Sequence, residues 1–243
     1  MSEVRVCTLM WGTAWERFGE DFVKSFQQYW DPSIEVNLVT DKLLPFDRAR
    51  QIWLDQIDDY NEFMTKWKDK SDLNDLPIDR DKIEPRHFWK HDAVKWIPQV
   101  VTPKAVLQKN QHWLDGDIFV WLDADVITTG SVDKQWIEKV LGDYDCACLQ
   151  RKPVHTEIGF YALRLNEHTR AAMDRFSQLF VSFEIFNYEQ QHSAYAWDIA
   201  IDENPNIRVN NLNKTNDRTH VFPLTVLNEK LIHNKGHRKP GGG

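Results

Sequence analysis

Apolar positions in the first forty residues follow two different periods, which predict a strand, a helix and a second strand. Arg5–Met10 has the pattern of a buried parallel strand because apolar residues fill most of it. Aromatic residues then recur at intervals of 3, 4, 4 and 3, which places them on one helical face: Trp15, Phe18, Phe22, Phe26 and Tyr29. Alternating apolar residues over 34–38 predict a second strand that ends at Thr40 and Asp41. A β-α-β opening of this kind is typical of an open α/β sheet.

The next part of the chain is less regular. The stretch 47–84 is polar with scattered apolar positions, which predicts a helix followed by a solvated loop. A helical pattern resumes over 86–97. Pro98 and Pro103 then predict the end of that helix, since proline lacks the backbone donor that a helix interior requires.

Strand-like and helix-like patterns alternate through much of the remaining chain. The predicted strands lie at 117–122, 145–149 and 159–165. The predicted helices lie at 133–141, at 193–201 and in a long segment that Asn166 caps. Because no linker separates these elements, we expect one α/β domain over 1–239, with a mixed, mostly parallel sheet flanked by helices. Residues 240–243 are expected to form a flexible tail.

Composition excludes several classes of protein. The 30 Lys and Arg against 37 Asp and Glu leave a net charge of −7, which disfavours binding to nucleic acid or anionic lipid. Apolar runs are far shorter than the roughly 20 residues of a transmembrane helix, and no signal peptide is expected. The three cysteines have no metal-ligand grouping, so a reduced, cytoplasmic setting is the simplest interpretation. The 11 tryptophans suit core packing and also flat platforms for sugar rings.

The strongest chemical signal is a pair of carboxylates directly after an apolar strand. Asp123 and Asp125 follow the apolar segment 118–122. Ligands of open α/β sheets bind beyond the carboxyl ends of the strands, where these two side chains are expected to lie. Hard oxygen ligands suit Mg²⁺ or Mn²⁺, and such an ion also holds a diphosphate. The alternative is that the two residues only form a turn before the helix at 133–141.

A second signal lies near the end of the chain. A neutral imidazole at His233 is a candidate third metal ligand, and Gly236 permits close approach of a phosphate to the backbone. Arg238 and Lys239 add positive charge suited to a diphosphate. The alternative is an ordinary basic terminal segment.

Together these two segments resemble the nucleotide-sugar glycosyltransferases of the GT-A fold. The late pattern His-x-x-Gly-x-x-Lys-Pro is similar to that of the glycogenin and lipopolysaccharide galactosyltransferase group. The aromatic residue that this group carries after the proline is replaced here by glycine. The resemblance implies transfer of a hexose from a nucleotide-sugar, with UDP as the default nucleotide, to a hydroxyl of a saccharide or another acceptor. It also implies Mn²⁺ or Mg²⁺ held by Asp123, Asp125 and His233, with Asp123 also facing the donor and with Gly236 and Lys239 on the donor diphosphate.

The same resemblance implies further donor contacts. Thr8 and Trp11, at the end of the first strand, would hold the nucleotide base and ribose. Asp41 occupies the acidic position often found near the base. Arg86 and Lys90 are four residues apart on one helical face and would contact the base or phosphates. For these five residues, core packing, turn formation or plain solvent exposure are the alternatives.

On the acceptor side, the resemblance implies that Glu157 bonds sugar hydroxyls and that Gly159 lets a sugar approach the backbone. Asp198 would bind the acceptor hydroxyl or act as a general base; the alternative is a surface residue on a short helix. The late histidine motif favours retention of anomeric configuration, whereas Asp198 as a base would suit inversion, so the stereochemistry stays open.

Two other functions compete with this one. A sugar-phosphate nucleotidyltransferase shares the sheet topology, but usually carries a Gly-rich basic loop after the first strand. Here that loop, 11–15, holds one glycine and no basic residue. A non-catalytic carbohydrate-binding protein would suit the aromatic content but has no need of the carboxylate pair with a late histidine.

Overall fold

The computed structural model describes residues 2–69, 85–215 and 220–234. The strands of these ranges are β1 (Val4–Met10), β2 (Glu35–Thr40), β3 (Ala49–Trp53), β4 (Ile118–Leu122), β5 (Val126–Thr128), β6 (Cys146–Arg151), β7 (Val154–Arg164), β8 (Val209–Asn211) and β9 (Leu231–His233). Their α-helices are α1 (Glu20–Tyr29), α2 (Asp58–Asp69), α3 (Ala93–Lys109), α4 (Lys134–Leu141), α5 (Glu167–Val181) and α6 (Ser193–Asp202).

Seven of the strands form one sheet, in the order β3-β2-β1-β4-β7-β6-β8, and β5 pairs separately with β9. Strand β1 runs parallel to β2 and to β4, with Val6 opposite Val36 on one side and Val120 on the other. Strands β2 and β3 are parallel, as are β6 and β8, whereas β7 is antiparallel to both of its neighbours. The predicted mixed, mostly parallel α/β sheet is confirmed.

Both faces of the sheet are covered, as the apolar character of its central strands predicts. Val6 and Cys7 are both fully buried although they point to opposite faces. Cys7 belongs to a core cluster that includes residues of α2, α3, α5 and α6, and Val6 to one that includes residues of α1 and α4. The sheet therefore lies between two apolar layers, and only its edges and strand ends meet solvent.

The prolines do not end the third helix, so that prediction was wrong. A 3-10 helix covers Pro85–His91, Asp92 caps the next helix by accepting from the Lys95 amide, and α3 then continues through Pro98 and Pro103 to residue 109. The Thr102 hydroxyl donates to the Pro98 carbonyl at 2.6 Å. Both prolines are buried, as are most residues around them in this helix, and this packing outweighs the roughly 3 kcal/mol that a helical proline costs.

The strand β3 was missed because it does not have an alternating apolar pattern. Only Ile52 of its five residues is buried, and the others are partly or fully exposed. Edge strands of this kind owe their position to backbone pairing with β2 more than to their own side chains.

The other strands and helices predicted from the apolar pattern are confirmed, with ends that differ by a few residues. The largest difference is β7, which begins at Val154 rather than near Gly159. Asn166 caps α5 through a capping box with Thr169, as predicted. No helix in the described ranges is long and apolar enough to cross a bilayer. The predicted tail 240–243 lies outside those ranges.

Candidate active site

The order of the strands creates a crevice at the carboxyl ends of β1 and β4. From β1, the sheet continues to β2 on one side and to β4 on the other, both parallel to it. At such a reversal of strand order, the connections leave in opposite directions and a ligand-binding crevice opens. Gly12 and Asp123 lie just beyond the two strand ends. The Gly12 amide donates to the Asp41 carboxylate at 2.8 Å, which ties the loop after β1 to the end of β2.

Asp123 is held in one orientation by donors from two other elements. Its Oδ1 accepts from the Trp121 indole at 2.7 Å and from the Gln99 amide at 3.0 Å. Its own amide donates to the Gly159 carbonyl of β7 at 3.0 Å. The carboxylate therefore cannot rotate without breaking two hydrogen bonds, which is the type of preorganisation that a ligand site needs.

Asp125 and His233 meet because β5 and β9 pair. Val126 is the direct partner of His233, and the Asn234 amide donates to the Asp125 carbonyl at 3.0 Å. The pairing places His233 Nε2 at 3.1 Å from Asp125 Oδ1, and both side chains are over nine-tenths buried. Residues 108 positions apart (233 − 125) are thus brought to one buried point.

Glu157 lies behind His233 and fixes it. The side chain of Glu157 is fully buried, and its Oε1 lies 3.0 Å from His233 Nδ1 and 2.6 Å from His220 Nδ1. Its Oε2 accepts from the Val221 amide at 3.1 Å. Since a carboxylate can only accept, His233 carries its proton on Nδ1 in this bond, and Nε2 is the atom that faces Asp125.

The absence of a side chain at Gly159 makes room for the His233 ring. A Cβ at position 159 would lie 2.5 and 2.6 Å from two atoms of the imidazole ring. These distances are shorter than any normal contact, so the ring packs directly on the backbone of β7. Gly159 also lines the cavity beside His233, so the approach of a sugar to its backbone stays a prediction.

The carboxylates of this cluster keep His233 positively charged. Burial lowers the pKa of His233, but its hydrogen bonds to Asp125 and Glu157 outweigh that effect and raise the pKa to about 9. An imidazolium therefore lies between two carboxylates at neutral pH. Ligand atoms of Asp123, Asp125 and His233 all lie within 4.8 Å of one another, as do those of Glu157, His220 and His233. Two carboxylates with one imidazole fit Mn²⁺ or Mg²⁺ in place of the imidazolium proton.

A cavity of about 780 Å³ opens beside this cluster. Asp123, Asp125 and His233 line one end of it. The other end carries five rings in mutual contact, which we call the aromatic wall: Trp89, Trp96, His155, His192 and Tyr195. Gln99 joins the two ends, because it donates to Asp123 while its own Oε1 accepts from the Ser193 hydroxyl at 2.7 Å. One concave surface thus combines a charged end with an apolar one.

Not every predicted site residue lies at this cavity. Lys90 and Glu157 line it, together with Asp123, Asp125 and His233. Thr8 is fully buried within β1, and Trp11 is half-buried against the core. The Asp198 carboxylate accepts from the amide and hydroxyl of Thr156, so it braces the start of β7. The Arg86 side chain, Gly236 and Lys239 lie outside the described residues.

Several residues of the cavity were not predicted as site residues, among them Trp89, Trp96, Gln99 and His192. Gln99 belongs to the part of α3 that the two prolines led us to leave out, whereas Trp96 lies within the predicted helix and was given no site role. His192 is the N-cap of α6, a correctly predicted helix, and its Nδ1 accepts from the Tyr195 amide at 3.2 Å. A histidine at that position gives no cavity signal in sequence, whereas the high tryptophan content was a signal that did not indicate which rings cluster.

Comparisons with solved structures return glycosyltransferases. Galactosyltransferase LgtC, solved with donor and acceptor sugar analogues, is 13% identical over 79% of this chain and 69% of its own, with a TM-score of 0.42. Mouse xyloside xylosyltransferase 1 is 11% identical over 87% and 85%, with a TM-score of 0.48. A glycosyltransferase involved in glycosylation of the PBCV-1 major capsid is 10% identical over 97% and 96%, with a TM-score of 0.49. No family model and no curated protein matches the chain. These likenesses are distant and concern the fold alone.

Proposed function

We propose that the protein is a metal-dependent glycosyltransferase that moves a hexose from a nucleotide-sugar, with UDP as the default nucleotide, to an acceptor hydroxyl. The observation that carries the proposal is the convergence of Asp123, Asp125 and His233 at the crevice between β1 and β4. A crevice of this kind accepts nucleotides in α/β sheets. When His233 gives up its Nε2 proton, two carboxylates and a neutral imidazole nitrogen face one point, and such a donor set suits a divalent cation.

The divalent cation would be held by Asp125, His233 and Asp123. When bound, Mn²⁺ or Mg²⁺ supplies positive charge that neutralises a diphosphate and stabilises its departure. Asp125 and His233 are the buried pair and so the firmest ligands. Asp123 is partly exposed and turned by Gln99, which suits a residue that also contacts the donor.

Glu157 is proposed as a positioning residue for this centre. It does not have an exposed oxygen to offer a sugar, because its side chain is fully buried against His233, His220 and the Val221 amide. A carboxylate that holds the far nitrogen of a metal-binding histidine fixes the ring and its tautomer, and it raises the basicity of the ligating nitrogen. This arrangement replaces the direct sugar contact inferred from the sequence.

Asp198 is proposed to support the same site from behind β7. By accepting two hydrogen bonds from Thr156, it fixes the strand one residue before Glu157. This position favours support of the strand over a role as general base, and it removes the reason for preferring inversion. Asp41 and Gly12 are proposed to flank the donor nucleotide on the β2 side of the crevice. We also propose that Gly236 and Lys239, which follow β9 in sequence, contact the diphosphate.

A glycosyltransferase also fits the cavity better than its rivals. The loop after β1 keeps Gly12 but has no basic residue before Arg17, unlike the phosphate-binding loop of a nucleotidyltransferase. The aromatic wall alone would suit a carbohydrate-binding protein, but such a protein would not use the carboxylates at the other end of the same cavity.

The test is a calorimetric titration of UDP into the protein with Mn²⁺ and, separately, with EDTA, followed by donor-hydrolysis assays with a panel of UDP-hexoses. We expect saturable UDP binding only with Mn²⁺, and slow release of UDP from at least one donor. Binding of equal strength in EDTA, or no binding in either condition, contradicts the proposal.

A further inference from the structure

The aromatic wall is built around a buried histidine. The His192 ring lies 5.1 Å from Trp89, 6.4 Å from Trp96 and 4.8 Å from His155, measured between ring centroids. His192 is 2% exposed, and both of its ring nitrogens are bonded, to Gln190 Oε1 at 2.9 Å and to the Tyr195 amide at 3.2 Å. His192 is therefore held in one orientation, and the surrounding rings pack against it.

Trp89 is the tryptophan of the wall that is most exposed. The Trp96 indole donates a hydrogen bond to the Trp89 carbonyl at 2.7 Å and so anchors the backbone of Trp89. Yet Trp89 itself is 41% exposed. The Lys90 ammonium lies over the Trp89 ring, 5.8 Å from its centroid. A large ring that is anchored through its backbone, supported by His192 and still partly exposed is a preformed flat surface, and the flexible Lys90 side chain can move aside for a ligand.

Polar groups surround this surface. Lys90 and Glu189 line the cavity beside the rings, and Gln190 and Ser193 contribute amide and hydroxyl groups. A ligand that fits must therefore present an apolar face to an indole and polar groups at its edges. A pyranose ring has that chemistry, since its axial C–H bonds form an apolar face and its hydroxyls project around the rim. Specific binding sites generally combine aromatic lining with a few placed polar groups in this way.

We propose that the aromatic wall is the acceptor subsite and that the acceptor is a saccharide, whose ring face stacks on Trp89. This inference rests on the proposed function for the meaning of acceptor, but not for the binding itself. The assignment to the acceptor follows from topology. The Gly12–Asp41 contact lies toward β2, on one side of β1. The wall is assembled against His155 of β7, on the other side of β4, by the start of α6 and by the segment that leads into α3. A donor nucleotide on the β2 side thus leaves the β7 side for the second substrate.

Gln99 gives the two subsites a shared element. It bonds Asp123 through its amide nitrogen and Ser193 of α6 through its oxygen. The carboxylate end and the helix that carries Tyr195 are therefore fixed relative to each other, as group transfer between two bound substrates requires.

The experiment measures binding of maltose, cellobiose, lactose and N,N′-diacetylchitobiose by saturation-transfer NMR titration, without nucleotide. Trp89→Ala is compared with Trp89→Phe, which keeps a stacking ring, and with Tyr144→Ala, which removes a 43% exposed ring elsewhere. We expect at least one disaccharide to bind the parent, with about ten-fold weaker affinity in Trp89→Ala, the factor that roughly 1.4 kcal/mol of stacking represents. Trp89→Phe should lose no more than about three-fold, and Tyr144→Ala nothing.

UDP affinity in Mn²⁺ is measured on the same variants and should be unchanged. The absence of binding by all four sugars to the parent, or equal affinity in Trp89→Ala, overturns the proposal. A loss of UDP affinity in Trp89→Ala also overturns it, because the wall would then hold the nucleotide. If the sugars bind as expected but UDP never does, the glycosyltransferase proposal fails while the saccharide site stands.

Discussion

The two ends of the cavity are held in different ways. At the carboxylate end, His233 of β9 is buried between Asp125, just before β5, and Glu157 of β7, and it is bonded to both. At the aromatic wall, ring contacts dominate and Trp89 is open to solvent. The carboxylate end fixes the positions of its charged groups, so it tolerates little change in any of them. The aromatic wall offers a surface whose affinity falls gradually when a ring is altered. The difference matches the chemistry proposed for each end, a cation with a diphosphate against a sugar face.

The most damaging change should be Asp125→Asn. The amide keeps the size of the side chain but removes one charged ligand, so we expect the affinity for Mn²⁺ to fall by at least about a hundred-fold, since removing one partner of a buried charge cluster costs about 3–5 kcal/mol. Isothermal titration calorimetry with Mn²⁺ measures it. Asp174→Asn, an exposed carboxylate on α5, is the matched control and should bind like the parent. Unchanged affinity in Asp125→Asn would remove this residue from the metal site.

Glu157→Gln should have the next largest effect, although Glu157 is not itself one of the proposed ligands. An amide oxygen can still accept from His233, but it lacks the charge that stabilises the ring, and loss of such a support typically costs about 10–100-fold in metal affinity. The same Mn²⁺ titration applies, with the exposed Glu229→Gln as control. An affinity equal to that of the parent would reduce Glu157 to a packing residue.

Gly159→Ala tests whether the His233 ring must lie on the backbone of β7. The added methyl would overlap the ring, so His233 has to move, and we expect about 1–3 kcal/mol of lost stability, typical of overpacking, with weaker Mn²⁺ binding. Gly130→Ala is the matched control, because its new methyl would have no neighbour closer than 3.4 Å. Thermal melts in EDTA together with Mn²⁺ titrations measure both effects. Equal melting temperatures for the two variants would show that the ring does not need the glycine.

The last predicted effect is a loss of folding stability in acid, caused by His192 of the aromatic wall. Burial of His192, with the nearby charges of His155, Lys90, His91 and Arg151, lowers its pKa to about 3. An unfolded histidine titrates near 6.5, so between these values the unfolded chain binds the extra proton and stability falls as pH falls.

His192→Asn keeps a helix-capping acceptor but cannot take up that proton. We therefore expect the variant to lose less stability than the parent between pH 7 and pH 5, by up to about 2 kcal/mol. Urea unfolding at the two pH values measures the difference. An identical pH dependence in parent and variant would show that His192 is not kept neutral by the fold.

The sequence predicts the part of the site that local pattern encodes. The apolar run 118–122 predicts β4, and Asp123 and Asp125 follow it directly. His233 was predicted through its motif and its resemblance to known enzymes, since its pairing with Val126 is a long-range contact. The roles of Gln99 and Glu157 could not be predicted, because each depends on a partner 24 or 76 positions away.

Local rules also misled in two places. Proline is a reliable helix breaker where solvent surrounds it, but Pro98 and Pro103 lie in a buried helix whose packing outweighs their cost. The edge strand β3 carries too few apolar residues to be seen, although the backbone of β2 holds it in the sheet. In both cases tertiary contacts decide the structure, and a single sequence does not display them.

The central claim is that Asp125 and His233 hold a divalent cation at the crevice between β1 and β4. Anomalous diffraction at the manganese edge, from crystals grown with Mn²⁺ and UDP, tests it most directly. The account predicts one strong peak within bonding distance of an Asp125 oxygen and of His233 Nε2, on the side facing the UDP diphosphate. UDP bound without such a peak, or manganese bound away from these two side chains, would contradict it.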